Sequence, residues 1–291
     1  MRPLFESWRS VALRLRESDL VALFLDFDGT LAKICERPEE VVLEPSTRRV
    51  LARLARHQRL KVWVISGRRR ADVRARVGVR GLRYLGLHGW EGRSPQTSAG
   101  RNSTKARGGS RLRAKSENGM TAAKHVSPVP QAARPGLSST SRRALRTLRQ
   151  TLNETLGKIE GIRIEDKTLT FAIHYRGASD ASITAARAVL SRIVDSMGGE
   201  VYVIEGELVW EVLPRELGTK GAAVRRELQT LGGSVLPVYA GNDGTDEPAF
   251  AALADGVTIR VGPDRLSHAR FRLSNPADLR RFLEKLEFEL K

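Results

Sequence analysis

Residues 21–31, VALFLDFDGTL, decide the fold of this 291-residue chain. The continuous apolar run 21–25 is typical of a strand that is buried on both faces of a sheet, and Asp26 and Asp28 follow it directly. In an open parallel sheet, ligands bind beyond the carboxyl ends of the strands. The two carboxylates therefore mark a ligand site at such an edge, where Gly29 allows a turn that a side chain would obstruct.

The sequence on both sides of this stretch alternates between helix and strand patterns. Before it and after it, the first predicted elements are a helix within 1–16, the strand 21–25, a helix at about 46–57, a strand at 60–65, a further helix and a strand at 82–87. From Lys220 onward the predicted elements are a helix, a strand at 235–240, a helix, a strand at 257–261 and a final helix. Such alternation is typical of a parallel sheet wrapped by helices.

A different pattern separates these two groups of elements. It comprises a helix from about Leu145, strands at 162–165 and 169–175, a helix at 180–197, and strands at 201–204 and 208–213. This order suits a small domain with an antiparallel sheet covered on one face. We therefore predict an α/β fold: a discontinuous parallel-sheet core at 1–93 and 215–291, and an inserted α/β domain at 142–214.

A basic segment accounts for much of the formal net charge of +17. Residues 94–143 carry ten Lys and Arg residues against one acid, Glu117, and few large apolar residues. Such a composition cannot offset the entropy of ordering the chain, so we predict a disordered, low-complexity loop at 94–141. Outside this segment the balance is only mildly basic, so no nucleic-acid partner is expected for the folded part, although the loop itself offers charge to polyanions.

The rest of the composition limits the possible environments of the chain. No apolar run approaches the roughly 20 residues of a membrane-spanning helix, and residues 1–18 lack the apolar block of a secretory signal. The single cysteine, Cys35, excludes an internal disulfide framework. We expect a cytoplasmic protein without a membrane partner, and the sequence does not indicate an oligomeric state.

The chemistry of the Asp26 and Asp28 pair follows from their charge. Alternate residues at a strand end point the same way, so both carboxylates flank one site. Two close carboxylates repel each other unless a cation lies with them, and a hard divalent ion such as Mg²⁺ prefers oxygen ligands. The sequence therefore predicts Mg²⁺ as a cofactor between Asp26 and a phosphate.

The motif Asp26-x-Asp28-Gly29-Thr30 resembles the first motif of the haloacid dehalogenase superfamily. The resemblance implies that Asp26 is the nucleophile that becomes phosphorylated, and that Asp28 protonates the leaving oxygen and later acts as the base for water. It also implies a Rossmann-like parallel-sheet core with an inserted cap domain, and a metal bound by Asp26 and Asp28.

Three further segments occur in the order of that superfamily. Ser66 and Gly67, after the second strand, resemble the group that hydrogen-bonds the phosphate. Lys220 opens a helix and resembles the catalytic lysine that neutralises the transferring phosphoryl group. The run 241–247, GNDGTDE, resembles the acidic fourth motif, with Asn242 and Asp246 at the implied metal-ligand positions.

Several of these features are similar to the trehalose-6-phosphate phosphatase family over most of residues 20–285. They are the fourth motif, the Ser66-Gly67-Arg68 turn, the segment 87–91 (LHGWE) and the inserted domain. In that family the inserted domain closes over the sugar. The resemblance therefore implies a sugar-phosphate substrate, and its cap segments match residues Glu165, Lys167, His174, Arg176 and Glu211.

One position departs from this family, and some residues keep two interpretations. The family usually has Asp after the glycine of the fourth motif, where this chain has Asn242, so weaker Mg²⁺ binding is expected unless Asp243 or Asp246 compensates. Arg68 either contacts substrate or caps a helix. His174 is either a sugar ligand or a half-buried sheet residue. Lys167 is either a sugar ligand or part of a hairpin turn. His88 is interpreted as part of a turn at the end of a strand.

Three functions follow from these alternatives. The first is hydrolysis of trehalose 6-phosphate to trehalose and phosphate. The second is hydrolysis of another sugar phosphate or of a glycosyl phosphoglycerate, which the motifs around Asp26 do not distinguish from the first. The third is a regulatory protein whose catalysis is weakened at Asn242.

Overall fold

The computed structural model describes residues 1–35, 37–92, 137–206 and 208–291. Residues 94–136 of the predicted basic loop lie outside the described residues. The parts on the two sides of that gap belong to one compact unit. Among the described residues, no helix has the length and apolar character needed to cross a membrane. The cytoplasmic location stays a prediction.

The described part of the chain contains eleven strands and eight α-helices. The strands are β1 (Arg2–Pro3), β2 (Leu20–Asp26), β3 (Leu60–Ile65), β4 (Arg83–Leu85), β5 (Arg163–Asp166), β6 (Phe171–His174), β7 (Val201–Gly206), β8 (Val209–Pro214), β9 (Val235–Gly241), β10 (Val257–Val261) and β11 (Phe271–Leu273). The helices are α1 (Trp8–Glu17), α2 (Pro45–Leu54), α3 (Arg70–Val77), α4 (Ser139–Thr155), α5 (Asp180–Ser196), α6 (Lys220–Gln229), α7 (Glu247–Ala252) and α8 (Pro276–Glu289).

Seven strands form one parallel sheet in the order β1-β11-β10-β9-β2-β3-β4. Strand β2 lies between β3 and β9, with Asp26 opposite Ile65 and Leu25 opposite Ala240. The ends of these three strands therefore lie side by side. This is the arrangement that the alternation of helix and strand predicted.

Alternate residues of β2 enter two separate apolar cores. Leu23 and Leu25 pack with residues of α1, α2, α3 and α8, whereas Phe24 packs with residues of α6 and α7 and stacks on Trp63, with ring centroids 4.6 Å apart. Because both faces of the sheet are covered, its central strands consist of almost continuous apolar residues. This explains why β2, β3 and β9 are recognisable from the sequence.

A second sheet is antiparallel, in the order β5-β6-β8-β7. On one face, Phe171, Ile173 and Trp210 pack in an apolar core with residues of α4 and α5. The alternate residues His174 and Glu211 point to a pocket instead. The predicted antiparallel α/β unit is confirmed, whereas the exact boundary residues of the domains stay predictions.

The structure differs from the sequence prediction at the edges of the large sheet. Strands β1 and β11 were not predicted, because they are only two and three residues long and pair with partners far away in the chain. The strand predicted at 82–87 ends at Leu85, and a turn of 3₁₀ helix follows at Leu87–Gly89. Helix α4 begins at Ser139, within the predicted loop 94–141.

Candidate active site

The ends of three neighbouring strands bring the predicted core residues together. Asp26 is the last residue of β2, Ser66 follows β3, and Asn242 follows β9. Lys220 is the first residue of α6, which begins where the Thr219 side chain accepts a hydrogen bond from the N–H of Ala222. Residues from four distant segments thus meet at one edge of the sheet.

A buried ion-pair network surrounds Lys220. Its ammonium donates hydrogen bonds of 2.8 Å to Asp26 Oδ1 and of 2.8 Å to Asp246 Oδ1. All three residues are at most 4% exposed. Burial disfavours the charged lysine, but Asp246 and Asp26 outweigh it and raise the pKa of Lys220. The ammonium therefore stays charged and lies beside the Asp26 carboxylate.

Both carboxylate oxygens of Asp246 accept hydrogen bonds. Its Oδ1 also accepts from the Tyr239 hydroxyl at 2.7 Å, and its Oδ2 accepts from the N–H groups of Asn242 and Asp243. Gly241 permits this contact, because a Cβ there would lie 2.3 Å from Asp246 Cγ. Burial alone would raise the pKa of Asp246, but the hydrogen bonds and Lys220 lower it. In this geometry Asp246 anchors Lys220, and its predicted role as a metal ligand stays a prediction.

The Asn242 carboxamide lies beside two oxygen atoms that could bind a cation. One of its two terminal atoms lies 2.9 Å from the carbonyl oxygen of Asp28 and 3.2 Å from Asp26 Oδ2. If this atom is the amide nitrogen, it donates hydrogen bonds to both oxygens. If it is the amide oxygen, three oxygen atoms face one another without a hydrogen atom between them, and a cation bound among them would stabilise this orientation. Among the described residues, no group of three or more His, Cys, Asp or Glu side chains is placed so that it could hold a metal ion by itself. A metal here therefore depends on the amide and the backbone carbonyl.

Asp26 has an excess of negative neighbours. Burial raises the pKa of its carboxyl and Lys220 opposes this, while the carboxylates of Asp246 and Asp243 raise the pKa further. Burial and Asp246 also raise the pKa of Asp243, to about 6. Three carboxylates thus share one ammonium, and a bound divalent cation would offset the excess charge.

Arg68 binds the second carboxylate of the motif. Its guanidinium forms a bidentate pair with Asp28, with N–O distances of 2.7 to 3.0 Å, and a further bond of 3.0 Å to Asp72. The backbone N–H of Arg68 donates to Ser66 Oγ at 3.1 Å. Arg68 therefore forms an ion pair with Asp28, and its contact with substrate stays a prediction.

The predicted cap residues line the opposite wall of one pocket of about 550 Å³. Lys167 donates to Glu211 Oε1 at 2.5 Å, and His174 Nε2 lies 3.0 Å from Glu165 Oε2. Burial would raise the pKa of Glu211, but Lys167 and His88 lower it to about 2. Arg176 reaches across and donates to the carbonyl oxygen of Cys35 at 3.1 Å.

The pocket gathers most of the predicted residues. All of them except Ser66 and Asp246 line it: Asp26, Asp28, Gly67, Arg68, Glu165, Lys167, His174, Arg176, Glu211, Lys220 and Asn242. Their individual roles stay predictions. The sequence analysis missed Tyr239, which has the pattern of a core residue of β9, and gave His88 no ligand role. Apolar periodicity predicts neither contact, because Tyr239 binds Asp246 through the turn after β9 and His88 lies beside Glu211 of the other sheet.

Known proteins are similar to this chain in sequence. It is 34% identical over 281 residues to an uncharacterised glycosyl hydrolase of Mycobacterium tuberculosis, covering 93% of this chain and 18% of that protein. It is 32% identical over 288 residues to a trehalose-phosphate phosphatase of Mycobacterium avium, covering 93% and 63%. The chain therefore spans less than two thirds of the length of these relatives.

The fold is shared with a solved structure, the C-terminal domain of trehalose-6-phosphate phosphatase from C. albicans, at a TM-score of 0.71 and 21% identity, covering 96% of each chain. The predicted fold class, a haloacid dehalogenase-like core with an inserted α/β cap, is confirmed. Residues 24–275 match the sequence model of one family, trehalose-phosphatase. Because this match covers most of the chain, the chain belongs to the trehalose-phosphatase family.

Proposed function

We propose that the protein is a Mg²⁺-dependent phosphatase that hydrolyses trehalose 6-phosphate to trehalose and phosphate through an aspartyl-phosphate. The observation that carries this proposal is the Asp26–Lys220 pair at the floor of a pocket whose opposite wall is polar. Membership in the trehalose-phosphatase family supports the choice of substrate.

The first step forms a bond between Asp26 and phosphorus. A carboxylate oxygen of Asp26 attacks, the bond between phosphorus and the sugar oxygen breaks, and Asp28 gives its proton to that oxygen. In the second step water attacks the aspartyl-phosphate, Asp28 takes a proton from the water, and the Asp26 carboxylate is released. Throughout, the Lys220 ammonium offsets the negative charge that gathers on the phosphoryl oxygens.

Mg²⁺ fits the oxygen atoms that the chain offers. Asp26 Oδ2, the carbonyl oxygen of Asp28 and the Asn242 amide oxygen would hold it. When bound, the ion supplies positive charge to the phosphate and to the three carboxylates around Lys220.

The substrate and the class of function are tested together by phosphate release. The purified protein is assayed with Mg²⁺ on trehalose 6-phosphate, sucrose 6-phosphate, glucosyl phosphoglycerate and glucose 6-phosphate. A clear preference for trehalose 6-phosphate is expected. Preference for another ester would retain the chemistry and refute the substrate, whereas no release at high Mg²⁺ would favour the regulatory protein with a weakened site at Asn242.

Asn242→Asp is expected to tighten Mg²⁺ binding about tenfold or more, which is about 1.4 kcal/mol. The substitution puts a negative charge 2.9 Å from the carbonyl oxygen of Asp28, at the proposed metal position. Isothermal titration calorimetry with MgCl₂ measures the affinity directly. Asn153→Asp, on the exposed side of α4, is the control for a general charge effect. Unchanged affinity in Asn242→Asp would move the ligand role to Asp243 or Asp246.

Arg68→Ala is expected to lower kcat on the order of 10²-fold, because Asp28 loses the bidentate pair that orients it. Steady-state kinetics on the preferred ester measure kcat and KM separately. Arg76→Ala is the matched control, since Arg76 also binds Asp72, at 2.8 Å, but its bonds do not include Asp28. A rise in KM with unchanged kcat would instead show that Arg68 binds substrate, as the sequence suggested.

A further inference from the structure

Tyr239 lies in the buried part of β9, and its hydroxyl joins the ion-pair network of the active site. The hydroxyl donates a hydrogen bond of 2.7 Å to Asp246 Oδ1. The backbone of Tyr239 pairs with Phe24 of β2, and its ring packs edge-on against Phe250 with the ring centroids 5.6 Å apart. The residue has no exposed surface. A phenylalanine would fill the same space and make the same ring contact, so apolar packing does not account for the hydroxyl.

The Tyr239 hydroxyl completes the set of hydrogen bonds that orient Asp246. Asp246 Oδ1 accepts from Tyr239 and, at 2.8 Å, from the Lys220 ammonium. Its Oδ2 accepts from the backbone N–H groups of Asn242 and Asp243, at 2.9 and 3.2 Å. These donors fix the orientation of a carboxylate that is fully buried and does not line the pocket. In this geometry, Asp246 acts on a substrate through Lys220.

The Lys220 ammonium keeps one N–H group for a ligand. An ammonium has three donors, and Lys220 donates one to Asp246 Oδ1 and one to Asp26 Oδ1, each at 2.8 Å. In the described part of the chain, these two carboxylates are its hydrogen-bond acceptors. Lys220 lines the pocket beside Asp26, so its third N–H is available to a phosphoryl group there. Because the three N–H groups are fixed relative to one another, the position of Asp246 sets the direction of the third.

We propose that Tyr239 is a positioning residue for phosphoryl transfer: its hydroxyl holds Asp246 so that the third N–H of Lys220 points at the transferring group. A hydrogen bond to a carboxylate is a strong one, and it offsets part of the negative charge of Asp246. Without it, Lys220 would offset more of that charge, and the ammonium would shift toward Asp246 and away from Asp26. A shift of about 1 Å can lower the rate by about 10²-fold. This inference rests on the proposed phosphatase chemistry and is independent of the identity of the sugar.

The test removes the hydroxyl and keeps the ring. Tyr239→Phe is expected to lower kcat about tenfold and to change KM less than about twofold, because the lost interaction acts in the transition state. The loss should be equal for trehalose 6-phosphate and for p-nitrophenyl phosphate, which share the phosphoryl group. Tyr84→Phe is the matched control, since Tyr84 is also a buried tyrosine of the parallel sheet and its hydroxyl donates to the Val79 carbonyl oxygen at 2.7 Å. It should change neither kcat nor KM.

A second readout does not depend on turnover. Vanadate resembles the phosphoryl group during transfer, and a group that acts in the transition state contributes to the binding of such an analogue. Isothermal titration calorimetry with MgCl₂ present should show that vanadate binds Tyr239→Phe about tenfold more weakly than it binds the wild type or Tyr84→Phe. Thermal unfolding establishes that each variant is folded at the temperature of these measurements.

Unchanged kcat and unchanged vanadate affinity in Tyr239→Phe would overturn the positioning role. So would a rise in KM confined to the sugar phosphate, which would indicate a contact with the sugar, or a variant that is unfolded at the assay temperature, which would make the hydroxyl a structural group. A wild type that hydrolyses no ester, with vanadate affinity still reduced in Tyr239→Phe, refutes the proposed function and supports the role of Tyr239. A wild type that neither hydrolyses an ester nor binds vanadate overturns both.

Discussion

Asp26→Asn is expected to lower phosphate release by roughly 10⁴-fold or more, because the amide that replaces the carboxylate is not a nucleophile. The fold should persist. Burial and the carboxylates of Asp246 and Asp243 raise the pKa of Asp26, so the charged form of this side chain is disfavoured in the folded protein. Replacing it with a neutral isostere removes that repulsion while the amide oxygen can still accept from Lys220.

Two measurements check this expectation. Phosphate release gives the loss of activity, and thermal unfolding should show a midpoint within a few degrees of the wild-type value. Asp28→Asn is the informative partner, because it retains the nucleophile but should slow both chemical steps. A phosphorylated protein that intact mass detects should therefore occur in Asp28→Asn and not in Asp26→Asn. Asp195→Asn, at an exposed position of α5, controls for the loss of a carboxylate. Near-normal turnover in Asp26→Asn would refute the proposed mechanism.

Lys220→Met is expected to reduce both activity and stability. It leaves the buried carboxylates of Asp26 and Asp246 without the ammonium that lies 2.8 Å from each. Removing one partner of a buried ion pair typically costs about 3–5 kcal/mol. Activity should fall at the same time, because the positive charge beside the transferring phosphoryl group is lost. Urea unfolding at pH 7 in the presence of a chelator measures the stability without a contribution from metal.

The stability defect of Lys220→Met should shrink as the pH falls. In the wild type, the pKa of Asp246 lies below its usual range, so its charged form stabilises the fold at neutral pH. Without Lys220, burial dominates and raises the folded-state pKa of Asp246 above the unfolded value. Protonation on acidification then favours the folded variant. Lys158→Met, at an exposed turn, is the control. A defect that is independent of pH would show that lost packing, and not unpaired charge, causes it.

The parallel core could be predicted because its signals are local. A strand covered on both faces must be apolar along most of its length, and β2, β3 and β9 meet this condition, with Lys61 near the start of β3 as an exposed exception. Parallel neighbours end at the same edge, so polar residues after each strand converge without any knowledge of side-chain contacts. By contrast, β1 is a two-residue edge strand and β11 is its three-residue neighbour, and their pairing joins residues near positions 2 and 271. No local pattern encodes such a pair.

The sequence by itself determined the fold class, the antiparallel insertion and the convergence of Asp26, Ser66, Lys220 and Asn242 at one edge of the sheet. Apolar periodicity and the geometry of parallel strands suffice for the fold class and for the residues that follow strand ends, whereas the place of Lys220 followed from the resemblance to the haloacid dehalogenase superfamily. Only the tertiary structure decided which partner each side chain has: Asp246 with Lys220, Arg68 with Asp28, and His88 beside Glu211. These contacts join segments up to well over a hundred residues apart. The first two lie within the parallel core and the third joins it to the antiparallel sheet, so their distances depend on how these elements pack, which no stretch of sequence specifies alone.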